Sequence, residues 1–205
     1  MNGVVNCLKR VHTDDQGFTL IELLITIVIL GVIITAIGTA IFVGLRTTNA
    51  TSRRLAQAHD AELITSYFGP DVQSSDSVTA TALDARCTTG VTGTPVVSFG
   101  WTEGGVVKVA SYVTQTNTGS ECPTGSSCVL MLRYFCNGNL TTSNVVAHLL
   151  SATSGPTISC ATAGVAGGCP AGTTGTPDAV VISVTPVDTT FSAPYTVAGV
   201  RRDAL

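Results

Sequence analysis

The sequence predicts an α+β protein: a long N-terminal helix, membrane-spanning in its first half, packed at its far end against a mostly antiparallel β-sheet body. Three observations predict it. From Phe18 to Leu45 the chain is predominantly apolar and its one charged residue is Glu22, although charged residues make up 11% of the whole. Good helix formers then extend the pattern to Phe68, where Gly69-Pro70 reads as its stop. Beyond Pro70, short segments of period-2 polarity stand between Gly, Pro, Asn and Ser clusters, as half-buried strands do. A length of 205 residues accommodates one such body plus a membrane segment.

A helix over Phe18–Leu45 rises about 42 Å at ~1.5 Å per residue, more than a bilayer core of about 30 Å requires. Three readings compete for this N-terminus. A secretory signal peptide has an apolar core of ~7–15 residues, about half of what stands here, although Ala36–Ala40 imitates a small-residue cleavage site. A plain single-span anchor fits the length. Lys9 and Arg10 precede the span while Arg46, Arg53 and Arg54 follow it, so the distribution of positive charge leaves the orientation open. Neither reading gives Glu22 a reason; the third, below, does.

The second half of the helix is "RRLAQAHDAELITSYF", Arg53–Phe68. Ala56, Ala61, Leu63, Ile64, Tyr67 and Phe68 gather on one side at ~100° per residue, with Gln57 and Asp60 intruding. That one-sidedness predicts packing against the body. In "PVVSFGW", Val97, Phe99 and Trp101 share a face, and Gly104-Gly105 turns the chain into "VVKVASYV", a hairpin. "CVLMLRYFC" (Cys128–Cys136) turns at Asn137-Gly138 toward "VVAHLL". "AVVISVTPV" (Ala179–Val187) and "YTVAGVRR" (Tyr195–Arg202) complete about six strands, and Cys160–Pro177 reads as a flexible loop.

The formal net charge is −3, to which the first 17 residues contribute nothing (Lys9 and Arg10 against Asp14 and Asp15). The remainder is mildly acidic, which argues against a nucleic-acid surface. The mean hydropathy of +0.42 is concentrated before residue 46. Of seven cysteines, Cys7 precedes the span, while Cys87, Cys122, Cys128, Cys136, Cys160 and Cys169 follow it. An even count in an exported region predicts disulfides and leaves their connectivity open, with Cys160–Cys169 as the first guess. Metal binding fits less well, since no Cys-x-x-Cys pair occurs.

No catalytic constellation is present: the sequence has no Gly-x-Ser-x-Gly, no His-Glu-x-x-His and no phosphate-cradling loop, and it calls for no cofactor. His12, His59 and His148 read as solvated or locally hydrogen-bonded. Asp71, Asp76 and Asp84 match no EF-hand spacing and read as solvated or capping residues in a loop. Asn49-Ala-Thr51 and Asn139-Leu-Thr141 fit the glycosylation pattern.

The stretch "QGFTLIELLITIVILGVII", Gln16–Ile34, resembles the N-terminus of type IV prepilins and of the pseudopilins of type II secretion. The resemblance implies a leader, residues 1–17, cut off after Gly17 by a prepilin peptidase that also N-methylates Phe18. It further implies a filament-core helix over 18–45, an outer helical half over 46–69, and a disulfide-containing body over 70–205. Glu22, fifth in the mature chain, would meet the Phe18 amine of a neighbouring subunit; as i and i+4, the two could instead pair within one helix. The implied partners are the peptidase, other pilins or pseudopilins, an inner-membrane assembly platform, and the lipid bilayer before assembly. The implied location is the cytoplasmic membrane, crossed once, with the body outside the cytoplasm, and later a filament or the cell surface. "AELITSYFGPDVQSSDSV", "SFGW", "LRYFC" and a closing Arg-Arg strand resemble the larger minor pilins and J-type pseudopilins. A membrane-anchored adhesin or binding module that never polymerises is the alternative. A tethered enzyme lacks a site.

Overall fold

The computed structural model describes residues 18–117, 122, 127–138, 140–162, 165–167, 169, 174–187, 189 and 193–202. The chain divides into two compact units, Met1–Thr48 and Asn49–Leu205. Helix α1 (Leu20–Ser74) is followed by ten strands among the described residues: β1 (Ser77–Ala80), β2 (Thr94–Glu103), β3 (Val106–Thr116), β4 (Cys128–Asn137), β5 (Leu140–Ser151), β6 (Thr157–Thr162), β7 (Val165–Gly167), β8 (Thr174–Gly175), β9 (Ala179–Val184) and β10 (Tyr195–Val200). The protein is α+β, with the far part of the apolar helix packed on antiparallel sheet.

In the first unit every described residue is exposed. The most apolar 18-residue window of α1 has a mean hydropathy of 2.9 and none of it is buried.

In the second unit, six strands form one sheet in the order β5-β4-β3-β2-β1-β8, and four form another in the order β10-β9-β6-β7. Every pairing is antiparallel. Gly104 and Gly105, at φ of 60° and 79°, form the two-residue turn between β2 and β3, a backbone conformation that residues with a Cβ adopt at a cost. From α1, Asp60, Ile64, Phe68, Asp71 and Val72 are buried, a three-to-four-residue spacing that draws one stripe along the helix. Phe68 meets Phe99 and Tyr112 edge-to-face, with ring centroids 5.4 and 5.6 Å away. Val97, Val78 and Met131 of the larger sheet and Val180, Ile182 and Val184 of the smaller one join the same core. Gln57, which looked like an intruder, donates from Nε2 to the carbonyl of Ala193.

Three sequence expectations need correction. The helix does not stop at Gly69-Pro70 but runs through Pro70 to Ser74. Proline forfeits the bond to the Ser66 carbonyl, and the burial of Asp71 and Val72 outweighs that loss. Arg201 then caps the end, its Nε donating to the Ser75 carbonyl at 3.0 Å. The expected six strands are ten, since β1, β6, β7 and β8 were missed. "SVTA" and "TISCAT" are short and Ser/Thr-rich, so pairing rather than an apolar pattern makes them strands. For the same reason Cys160–Pro177 is not simply a loop, because β6 ends, and β7 and β8 lie, within it.

Gly199 of β10 lies directly on the last turns of α1: a Cβ there would stand 2.6 Å from Val72 Cβ. Both atoms are fixed to main chain, so neither yields easily. Gly199→Ala is expected to lower stability by about 1–3 kcal/mol through overpacking, read as a lower urea midpoint for the body at unchanged m-value.

Candidate functional site

The first candidate is the start of α1. Thr19 precedes the first helical residue, and its Oγ1 accepts a hydrogen bond from the Glu22 N–H at 3.3 Å. The Leu23 N–H bonds the Thr19 carbonyl at 3.1 Å. Thr19-x-x-Glu22 is thus an N-cap in the pattern of a capping box, a signal present in the sequence but overlooked behind the apolar run. Glu22 also lies in the first turn, where the helix dipole favours a negative charge. Phe18 is 76% exposed. Gly17, the rest of the expected leader with His12, and Cys7 lie outside the described residues.

Between Glu22 and Arg46 the polar side chains are threonines, and each satisfies itself. Thr26 donates to the Leu23 carbonyl, Thr35 to Val32 and Thr39 to Ala36, all at 2.8 Å. Back-bonded hydroxyls make no demand on solvent, so the outer surface of this stretch is apolar in effect as well as in composition. The Arg46 guanidinium carbon lies 4.6 Å from the centroid of the Phe42 ring, one turn back.

The second candidate is where α1 meets the body. Arg133 of β4 grips Asp71 with two donors, Nε to Oδ2 at 2.7 Å and Nη2 to Oδ1 at 2.6 Å. Tyr112 of β3 adds its hydroxyl to Oδ2 at 2.7 Å. The guanidinium is stacked 4.9 Å from the rings of both Tyr67 and Phe135. Burial pushes the Tyr112 hydroxyl well above its ordinary pKa, and the Asp71 charge beside it adds to the shift. For Arg133, burial works against the charge, but the bonds to Asp71 and its charge outweigh this and raise the pKa. Asp71 is therefore a buried ion-pair partner on a helix, where the sequence pointed to a solvated or capping aspartate in a loop.

His148 is a second correction: its bonds are tertiary, not local. Its backbone N–H and Nδ1 both reach Asp60 of α1, at 2.7 and 2.9 Å. Asp84 takes three donors from Arg86, whose Nη2 also reaches Ser77 Oγ at 2.6 Å. Burial raises the Asp84 carboxyl pKa, but the Arg86 bonds and charge overcome it and hold it below the usual value. This pair lies on Gly100, where a Cβ would stand 1.8 Å from Arg86 Nη2. Asp76 accepts from the Thr102 N–H at 3.1 Å. None of the three aspartates belongs to a metal cluster: among the described residues no group of three or more His, Cys, Asp or Glu side chains is placed to hold an ion.

The cysteines pair as Cys87–Cys136, Cys122–Cys128 and Cys160–Cys169, with Cα separations of 6.2, 6.0 and 4.8 Å. The first ties the segment between β1 and β2 to β4, and the last joins β6 to Cys169, two residues beyond β7.

Residues 13–38 match the family described as the prokaryotic N-terminal methylation motif. The match supports the type IV pilin and pseudopilin resemblance, implying processing by a prepilin peptidase and assembly with other pilins. Together with the apolar helix it supports membrane anchoring by the N-terminus. No curated protein and no solved structure matches the chain.

Two outcomes are expected. Arg133→Ala leaves Asp71 charged and buried without a cation, at a cost of about 3–5 kcal/mol. Removing both charges, in Asp71→Leu with Arg133→Met, is expected to cost less than the single change in urea unfolding of the full chain in detergent. For the cysteines, thiol labelling of the exported protein without reductant is expected to find none of the six reactive. In the chain-entropy model Cys87–Cys136, 49 residues apart, contributes the most, about 4 kcal/mol. More than one labelled thiol per mature chain contradicts the assignment.

Proposed function

We propose, from the premise that residues 13–38 carry the N-terminal methylation motif, that this chain is a minor pilin or pseudopilin. It enters the membrane as a prepilin with the body outside the cytoplasm. The prepilin peptidase removes residues 1–17 by cutting after Gly17 and methylates the new Phe18 amine. The mature chain then assembles with other pilins or pseudopilins through residues 18–45. The observation that carries this reading is the match itself, opening a helix whose apolar, self-satisfied surface is exposed along its first half. Such a surface needs lipid before assembly and other helices after it.

Glu22 has its role in that exchange. At the membrane stage it lies about 6 Å along the helix from Phe18, close enough to remain among headgroups. Packed among other helices it needs a cation, and the Phe18 amine of a neighbouring subunit, charged at neutral pH, provides one. That pairing fixes the axial stagger between subunits. The large body with three cysteine pairs suits an initiating or tip position at low copy number.

The native N-terminus decides the first step: mass spectrometry is expected to find N-methylated Phe18. A chain beginning at Met1 overturns the reading and leaves a membrane-anchored adhesin or binding module; a chain cut after Ala40 overturns it as well, because it has lost the span. Glu22→Val tests the second step. The variant is expected to insert and to be cut normally, yet to be missing from sheared filaments that contain the wild type. If it enters filaments as well as the wild type does, Glu22 serves only its own helix.

A further inference from the structure

We propose that α1 has a set depth in the bilayer, fixed at one end by Glu22 and at the other by Arg46, and that Arg46 binds a lipid phosphate. This rests on the membrane-inserted reading above, but not on polymerisation. Glu22 and Arg46 bound a 23-residue stretch of α1 that carries no charged side chain. Between them the hydroxyls of Thr26, Thr35 and Thr39 are spent on backbone carbonyls. No charge and no unsatisfied hydroxyl in that interval favours one depth over another, so the two charges decide it.

Their spacing fits a membrane. Twenty-four helical steps at ~1.5 Å separate the two Cα atoms by about 36 Å. At a tilt of about 20°, common for membrane helices, the projection is about 34 Å. A hydrocarbon core is about 30 Å thick and the bilayer with headgroups ~40–45 Å, so both charges reach headgroup level together. Sliding the helix to put Phe18 at the boundary would draw Glu22 about 6 Å into hydrocarbon while lifting Arg46 into water, which is unfavourable at the first end and gains nothing at the second.

The far end is also shaped for an anion. Arg46 leans back toward the apolar stretch, its guanidinium 4.6 Å from the centre of Phe42, and Phe42 is 57% exposed. The Phe42 ring stays in the outer hydrocarbon while the cation held against it reaches up to the headgroups, as a snorkelling arginine does. With its central carbon over the ring, the guanidinium keeps N–H donors that can grip a phosphate with two bonds.

The test uses the full chain in vesicles. Leu45→Trp places a reporter beside Arg46, and lipids brominated at successive acyl positions read its depth. Trp101, in the second unit, is present in every variant and serves as a constant background. The Leu45→Trp chain is expected to be quenched best by bromines nearest the glycerol. Adding Arg46→Gln is expected to shift quenching toward mid-chain bromines, at least doubling the deep-to-shallow ratio, while Arg46→Lys keeps the original profile. In phosphate-free buffer, arginine-labelled chain is expected to show dephasing of a guanidinium 15N signal by lipid 31P, lost in Arg46→Gln. An unchanged depth profile in Arg46→Gln overturns the anchoring, and absent dephasing overturns the phosphate contact. A chain that fails to enter vesicles at all overturns the membrane reading with it, whereas a failure to polymerise leaves this proposal standing.

Discussion

The second unit depends on one buried charge being answered. Asp71 lies in the last turns of α1, 4% exposed, facing the larger sheet. An unpartnered carboxylate there would expel the helix end from the core. Arg133 answers it from the adjoining β4 with a planar two-point grip, and Tyr112 takes the remaining acceptor position from β3. Because Arg133 and Tyr112 are register partners across the β3–β4 pair, one carboxylate holds two strands to the helix at a defined position. Tyr67 and Phe135 flank the guanidinium, so the charge meets ring faces rather than aliphatic groups. The aromatic triad of Phe68, Phe99 and Tyr112 then packs beside it without having to choose a rotational setting for the helix.

The two halves of α1 solve opposite problems. In the first unit the helix presents apolar surface and hides its few hydroxyls in its own backbone, which suits an environment that offers no hydrogen bonds. In the second unit the helix spends polar groups on the body: Gln57, Asp60 and Asp71 each reach a different part of it. Close approach does similar work where there is no polar contact. Gly100 lets the Asp84–Arg86 pair lie flat on β2, and Gly199 lets Val72 touch the backbone of β10.

Much of this was legible in the sequence, and the failures have a common cause. The apolar run, the hairpin at Gly104-Gly105 and the turn at Asn137-Gly138 were readable because each is a local signal that few alternatives imitate. Val97, Phe99 and Trp101 were assigned to one face on period alone, and the first two are fully buried with the third packed against the same core. The partners of Asp60, Asp71 and His148 were not readable, since each lies 41, 62 or 88 residues away and no local pattern encodes it. Gln57 and Asp60 interrupt the apolar stripe in the sequence and are its polar contacts in the fold. Strands β1 and β6 were lost for the opposite reason: they are real by pairing but carry little apolar periodicity. At the N-terminus, Thr19 was visible yet eclipsed by the longer pattern beginning beside it.

Pro70 gives the helix a division of authority. Up to Ser66 the backbone ladder propagates from turn to turn, so helical structure there needs nothing beyond its own sequence and surroundings. At Pro70 the ladder loses a rung, and residues 71–74 remain helical because two sheets and a capping arginine hold them so. Their conformation is conditional on the body in a way that the preceding turns are not. A chain emerging with its N-terminal stretch already in place would therefore carry a finished helix and an unfinished last turn. That turn closes as the sheets do, joining a locally determined element to a cooperatively determined one.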